Sequence, residues 1–273
     1  MSNGFVIEDN EDISKYSLEN VLGKVIHGNS LSVMKKLPKE SVDLVFLDPP
    51  YFLQLPKKDL RRWNSKTIVN GVDDEWDKFK SFDEYDSFIK ETLLLAKNIM
   101  KPAATLWVIS TYHSIFRIGK MMQDLGFWIL NDVHWIKTNP MPNWLGVRFT
   151  NSTETLIWAA KDKSSRKYTF NKEWAKKLGI GKVAANVWEF PICTGKERLK
   201  DDDGRCKLHS AQKPAELLKR IILTTSNEGD VILDPMAGTG TAGYVARSLN
   251  RRFIMIEINP KYIDGMKKRF DRG

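Results

Sequence analysis

Asp48, Pro49, Pro50 and Tyr51 stand together directly after the apolar run VDLVFL. A carboxylate, a carbonyl held rigid by two prolines and an aromatic ring form a set suited to an exocyclic amine on a flat base. Such an amine is a poor nucleophile, because its lone pair is delocalised into the ring. The Asp48 carboxylate and the Pro49 carbonyl could accept its two N–H bonds and turn the lone pair toward an electrophile, while Tyr51 offers a face for stacking. The plainer alternative is a strand-ending turn over a buried tyrosine, since prolines cannot continue a central strand.

A second cluster lies near the other end of the chain. Gly238-Thr239-Gly240-Thr241-Ala242-Gly243 fits G-x-G-x-x-G, follows a short apolar strand and opens a helix, and Glu257 ends the next strand. Glycines there allow a tight turn and close approach of a ligand to bare backbone, and the acid can grip ribose hydroxyls, so the pattern predicts a nucleotide-like cofactor. The alternative is tight helix–sheet packing with Glu257 merely solvated. Only one strand follows this loop, whereas a nicotinamide-binding domain needs several. The remaining strands must come from upstream, which makes the order permuted.

Strands are expected over 24–27, 42–47, 105–109, 127–136, 154–160, 231–233 and 252–257. Helices are expected over 31–37, 82–100, 114–125, 212–225, 242–249 and 260–270. Alternation of this kind predicts an α/β, Rossmann-like fold with a mostly parallel sheet and helices on both faces. Residues 1–20 read as a polar arm, and 21–273 as one domain. Residues 161–207, charged and weakly periodic, read as an insert outside the core sheet. Residues 51–71 and 137–148 read as basic loops.

The 43 Lys and Arg against 34 Asp and Glu give a net charge of +9, which suits a polyanionic partner as well as solubility. Two cysteines, Cys193 and Cys206, make no disulfide framework or zinc spacing. The apolar runs fall short of the roughly 20 residues a membrane span needs. The polar, acidic N-terminus is unlike a signal peptide, so a cytoplasmic setting is expected.

VDLVFLDPPY and ILDPMAGTGTAG, joined by HSAQKPAELLKRIILTTSNEGD, resemble the β-class DNA amino-methyltransferases over about residues 22–270. DDEWDKF, LGFWILNDVHWIKTNPMPNWLGVRFTNSTETLIWAAK and ICTGKERLKDDDG are most similar to the GANTC-specific adenine enzymes, including the cell-cycle-regulated bacterial one. The resemblance implies a permuted S-adenosylmethionine-dependent fold and N6 methylation of adenine in double-stranded DNA. Under it, Asp48 to Tyr51 hold the adenine, and Asp234, Pro235, Met236, Ala237, Gly238, Thr239, Gly240 and Thr241 wrap the methionine part of the cofactor. Glu257 takes the ribose, Lys213 lies in the helix closing over the cofactor, Asn29 lies near its adenine, and 161–207 serves target recognition. It leaves room for a homodimer and for a cognate restriction endonuclease. Departures are Asn29 where Asp is usual, Met236 for Phe, and Ser210-Ala211 for Pro-Thr. With the resemblance running to about residue 270, no counterpart of the cell-cycle enzyme's extra C-terminal domain is expected.

Lys57, Lys58, Arg61, Arg62, Trp144 and Arg148 are expected to meet DNA, the bland reading being solvated charge and core aromatics. Ile192 precedes Cys193, so the Pro-Cys of cytosine-C5 enzymes is absent. The four histidines lack metal spacing, and a sulfonium donor needs no metal to be electrophilic. Three rivals remain. A nicotinamide oxidoreductase leaves Asp-Pro-Pro-Tyr unexplained, an inactive DNA-binding relative is suggested by Asn29 and Met236, and cytosine-N4 methylation more usually carries Ser-Pro-Pro-Tyr.

Overall fold

The computed structural model describes residues 4–53, 60–61, 68–69, 77–143, 146–179, 183–201, 204 and 206–272. In chain order the elements are β1 (Val6–Glu8), α1 (Leu18–Val21), β2 (Lys24–His27), α2 (Ser30–Lys36), β3 (Val42–Leu47), β4 (Leu60–Arg61) and β5 (Ile68–Val69). Then come α3 (Phe82–Ile99), β6 (Met100–Ser110), α4 (Ile115–Asp124), β7 (Trp128–Lys137), β8 (Thr153–Ala160), α5 (Lys172–Lys177) and β9 (Val187–Phe190). The last are α6 (Ala215–Thr225), β10 (Val231–Asp234), α7 (Thr241–Ser248), β11 (Arg252–Glu257) and α8 (Pro260–Arg272). Among the described residues, nine strands form one sheet in the order β1-β2-β11-β10-β3-β6-β8-β7-β9. Its pairings are parallel except for those of β8 with β6 and β7.

This is the permuted, doubly wound order expected from the sequence. From β3 the chain moves outward through α3 to β6; from β10 it moves the other way through α7 to β11. The direction reverses between β3 and β10, and the crevice at such a reversal is where open α/β sheets bind ligands.

Successive side chains of β3 feed opposite faces. Val45 and Leu47 join a core with α2, α3 and α4, while Leu44 and Phe46 join one with α6, α7 and α8. The exception in this apolar run, Asp43, ties three strands together. Its carboxylate accepts from Lys101 Nζ on β6 at 2.8 and 2.9 Å and from the Val231 amide of β10 at 2.9 Å.

Three expectations need correction. Residues 1–20 are not simply an arm: β1 pairs in parallel with β2, Phe5 packs on Phe253 and Phe270, and Tyr16 is buried. The region 161–207 is not wholly outside the sheet. Its β9 extends the sheet beside β7, because Trp188 enters the face where Trp107 stacks on Trp158. The loop at 51–71 contains a short antiparallel ladder, β4 with β5. Among the described residues no helix is long and apolar enough to cross a membrane.

Asp43→Ala would leave the Val231 amide and the Lys101 ammonium without this acceptor. We expect a loss of about 1–3 kcal/mol of unfolding free energy, read as a lower urea midpoint. An unchanged midpoint would show that water replaces the carboxylate at no cost.

Candidate active site

Leu44 and Val45 pair in parallel with Ile232 and Leu233, so β3 and β10 end side by side. Asp48-Pro49-Pro50-Tyr51 follows the first and Asp234 to Thr241 the second. All of these but Gly240 line one cavity of about 450 Å³, within the range of small-ligand sites. Asn29, Lys213 and Glu257 line it too. Tyr51 and Gly238, far apart in sequence, share its walls.

The glycine loop turns through left-handed backbone at Gly238 (φ +53°) and Gly240 (φ +69°). A Cβ on Gly240 would come within 2.9 Å of Met266, so the turn also needs glycine for space. Glu257 holds the loop: one carboxylate oxygen accepts from the Gly238 amide at 2.7 Å and the other from the Asn259 amide at 2.8 Å. From α8, the buried Arg269 donates to the Thr239 carbonyl at 3.0 Å and to Thr241 Oγ1 at 2.8 Å. Asn29 caps α2, its side chain accepting from the Leu31 and Ser32 amides at 3.0 and 3.2 Å.

A chain of charges runs from the cavity wall into the neighbouring strands. Lys213 Nζ donates to Asp48 Oδ2 at 2.7 Å and lies 5.2 Å from the centre of the Tyr51 ring. The Tyr51 hydroxyl has two acceptors, Asp48 Oδ1 at 3.1 Å and Glu154 Oε2 at 2.9 Å. Lys137 Nζ sits 2.9 Å from Glu154 Oε1. Tyr85 donates to the Pro50 carbonyl at 2.9 Å, and the Asp77 carboxylate accepts from the Phe52 and Leu53 amides, so the backbone after β3 is braced.

Burial dominates the electrostatics. It pushes the Asp234 carboxyl up to about 8 and the Glu257 carboxyl up to about 7. Burial also raises Asp48, against the pull of the Lys213 ammonium. Lys213 is itself desolvated, but Asp48 and Glu154 more than offset this and raise it, so it stays cationic. Burial pulls His209, beside Gly238, down to about 3, so this imidazole is neutral at ordinary pH. Near pH 7 Asp234 therefore holds its proton and Glu257 is about half ionised, while Asp48 is paired with Lys213.

Sequence reading missed Glu154, Lys137, Arg269, His209 and Tyr262. Glu154 stands at the start of a strand, ahead of the apolar run LIWAA, and only cross-strand register reveals its burial. His209 and Tyr262 flank the glycine loop and pack ring to ring at 4.7 Å. The expected DNA contacts are spread differently. Arg148 is exposed, 3.3 Å from the Tyr112 hydroxyl. Arg61 lies in β4; Lys57, Lys58, Arg62 and Trp144 lie outside the described residues.

The N6/N4 methyltransferase family, described as DNA methylase, matches residues 42–268. The type II methyltransferase M.HinfI of Haemophilus influenzae is 48% identical over 255 residues, covering 93% of this chain and 70% of its own. The type II methyltransferase M2.LlaDCHI of Lactococcus lactis subsp. cremoris is 40% identical over 260 residues, covering 94% of this chain and 92% of its own. Among solved structures, the M1.HpyAVI–SAM complex matches with a TM-score of 0.65 at 24% identity, over 90% of this chain and 98% of its own. Two strand ends meeting in one cavity, a glycine loop and these matches lead to one statement: the chain belongs to the N6/N4 DNA methylase family.

Proposed function

We propose that this DNA methylase transfers a methyl group from S-adenosylmethionine to the N6 amine of an adenine flipped out of duplex DNA, within GANTC. The observation that carries the reading is the shared cavity. Asp48 to Tyr51 form one wall and the Asp234–Thr241 loop the other.

The residues suit this cofactor. It brings a sulfonium and an ammonium, and the cavity has carboxyls at Asp48, Asp234 and Glu257 that burial holds above their usual range. A cationic ligand would relieve that cost. Its carboxylate would meet the hydroxyls of Thr239 and Thr241, beside Arg269, and Glu257 would accept from the ribose. When bound, the cofactor supplies an electrophilic methyl group. Asp48 and the Pro49 carbonyl would take the two N–H bonds of the adenine amine, and Tyr51 would stack on the base. Lys213 would keep Asp48 ionised as an acceptor. This positioning, with hydrogen bonds in place before reaction, is what the protein contributes to the transfer.

Asp48 favours adenine over cytosine, and GANTC rests on the resemblance of the segments at residues 73–79, 125–161 and 192–204. The basic loops would approach the duplex, with 161–207 adding recognition. The names of both relatives as type II methyltransferases support a cognate endonuclease and a bacterial, cytoplasmic setting.

Methyl transfer to short duplexes with and without GANTC, followed by nucleoside analysis, tests the reading. N6-methyladenine confined to GANTC duplexes is expected, and N4-methylcytosine would replace it. Asp48→Ala should lower kcat at least about 10²-fold.

Cofactor affinity should also depend on pH. Ionised Glu257 accepts from ribose hydroxyls through both oxygens and more strongly than the carboxylic acid, and its carboxyl titrates near 7. Binding below that pH therefore releases a proton. Affinity should rise with pH through about 7, by up to about tenfold per unit where Glu257 is protonated, and go on rising toward about 8 as Asp234 in the same cavity ionises. Calorimetry from pH 6 to 8 reads this, and Glu257→Gln should flatten the curve.

Arg148→Ala should weaken DNA binding at all sequences and reduce the slope of log affinity against log salt by about 1. Arg61→Ala with Arg62→Ala should act likewise. An unaltered slope would remove these side chains from the interface.

A further inference from the structure

The Tyr51 hydroxyl carries one proton and faces two carboxylates. Asp48 Oδ1 is 3.1 Å away and Glu154 Oε2 is 2.9 Å away. Only one of them can receive that proton at a time. If Asp48 receives it, the same oxygen is less open to the N–H of a substrate amine, and its other oxygen already accepts from Lys213. The second acceptor therefore decides how much of Asp48 is free to act.

Glu154 is built to be that acceptor. Its side chain is 10% exposed, and its Oε1 is paired with Lys137 Nζ, whose side chain is 11% exposed. Burial raises the Glu154 carboxyl, but Lys213 and Lys137 more than offset it and bring it below its usual value. It thus remains an ionised, acceptor-only group in the interior. Its position is fixed by the sheet, because Glu154 pairs across β8 and β7 with Trp135. Lys137 is fixed similarly, its amide donating to the Ser152 carbonyl at 2.8 Å at the base of the 138–152 loop.

We propose that Glu154 is a positioning residue that draws the Tyr51 proton away from Asp48 and so leaves Asp48 Oδ1 open to the target amine. It touches neither substrate nor cofactor. It acts through Tyr51, with Lys137 keeping it charged. The proposal rests on the reading that Asp48 accepts from the target amine.

The test is a double variant. In Glu154→Gln the shape is kept but the acceptor becomes neutral, so the hydroxyl turns to the charged Asp48. We expect kcat to fall about tenfold, the scale of one hydrogen bond to a charged group. KM for the cofactor should stay unchanged, since the glycine loop is untouched. Adding Tyr51→Phe removes the competing donor but keeps the stacking face, so the double variant should turn over several-fold faster than Glu154→Gln alone. A merely structural role for Glu154 gives no such recovery. A double variant no faster than the single one overturns the proposal. If Glu154→Gln leaves Lys137 too poorly paired to fold, Lys137→Met with Glu154→Leu replaces the ion pair by apolar side chains, and the same gain on adding Tyr51→Phe is required. Asp48→Ala run alongside separates the two failures. Full activity there sinks the underlying reading, whereas an inactive Asp48→Ala without recovery in the double variant sinks only the role of Glu154.

Discussion

Ile232 and Leu233 lie beside Leu44 and Val45 in parallel register, and everything the site does depends on that pairing. Parallel neighbours finish at the same edge of a sheet. Because the chain leaves β3 and β10 in opposite directions, no helix covers the gap between their ends. The crevice left there holds the Asp-Pro-Pro-Tyr turn on one side and the glycine loop on the other. Asp43 reinforces the pairing from within the sheet, since its carboxylate reaches Val231 of β10 and Lys101 of β6. A polar side chain in a buried strand thus serves the join on which the cavity depends.

The charges in that cavity follow from the same geometry. Two strand ends bring Asp48 and Asp234 together, a third brings Glu257, and burial raises all three carboxyls. Lys213 meets Asp48 directly, and the other two lack an ion-pair partner in the described structure. Ionising them without a cation costs free energy, so near pH 7 Asp234 holds its proton and Glu257 is partly protonated. A ligand with positive centres lowers the cost of ionisation, so binding and proton release are coupled.

Much of this was legible in the sequence, for physical reasons that differ by element. The turn at Asp48 to Tyr51 and the loop at Gly238 to Gly243 are local, and their residue types are demanded by backbone geometry and chemistry. The permuted order followed from counting strands after the loop. What sequence could not show was long-range register. Glu154 is one polar residue ahead of an apolar run, with nothing local to mark it, until β7 places Lys137 against it. Val187 to Phe190 is too short and too charged in its surroundings to announce a strand; burial of Trp188 against Trp107 makes it one. At the N-terminus, Val6 to Glu8 is flanked by acids and reads as a tail, yet pairing with β2 and the packing of Phe5 give it a place.

Strand direction explains why several connections gather on the side of the molecule where Asp48 lies. β6 runs parallel to β3, so residues after Ser110 emerge at the edge where Asp48 lies. β8 is antiparallel to β6, with Ser110 opposite Thr155, so β8 begins at that edge and carries Glu154 there. β7 ends at the same place, and the loop between β7 and β8 must project from it. β9 runs parallel to β7, with Phe190 opposite Lys137, so the segment returning to Lys213 leaves from that edge as well. One antiparallel strand inserted into a parallel sheet is enough to gather these connections around the crevice. A wholly parallel arrangement would have sent the return from β7 to the opposite edge, away from the crevice that Asp48 lines.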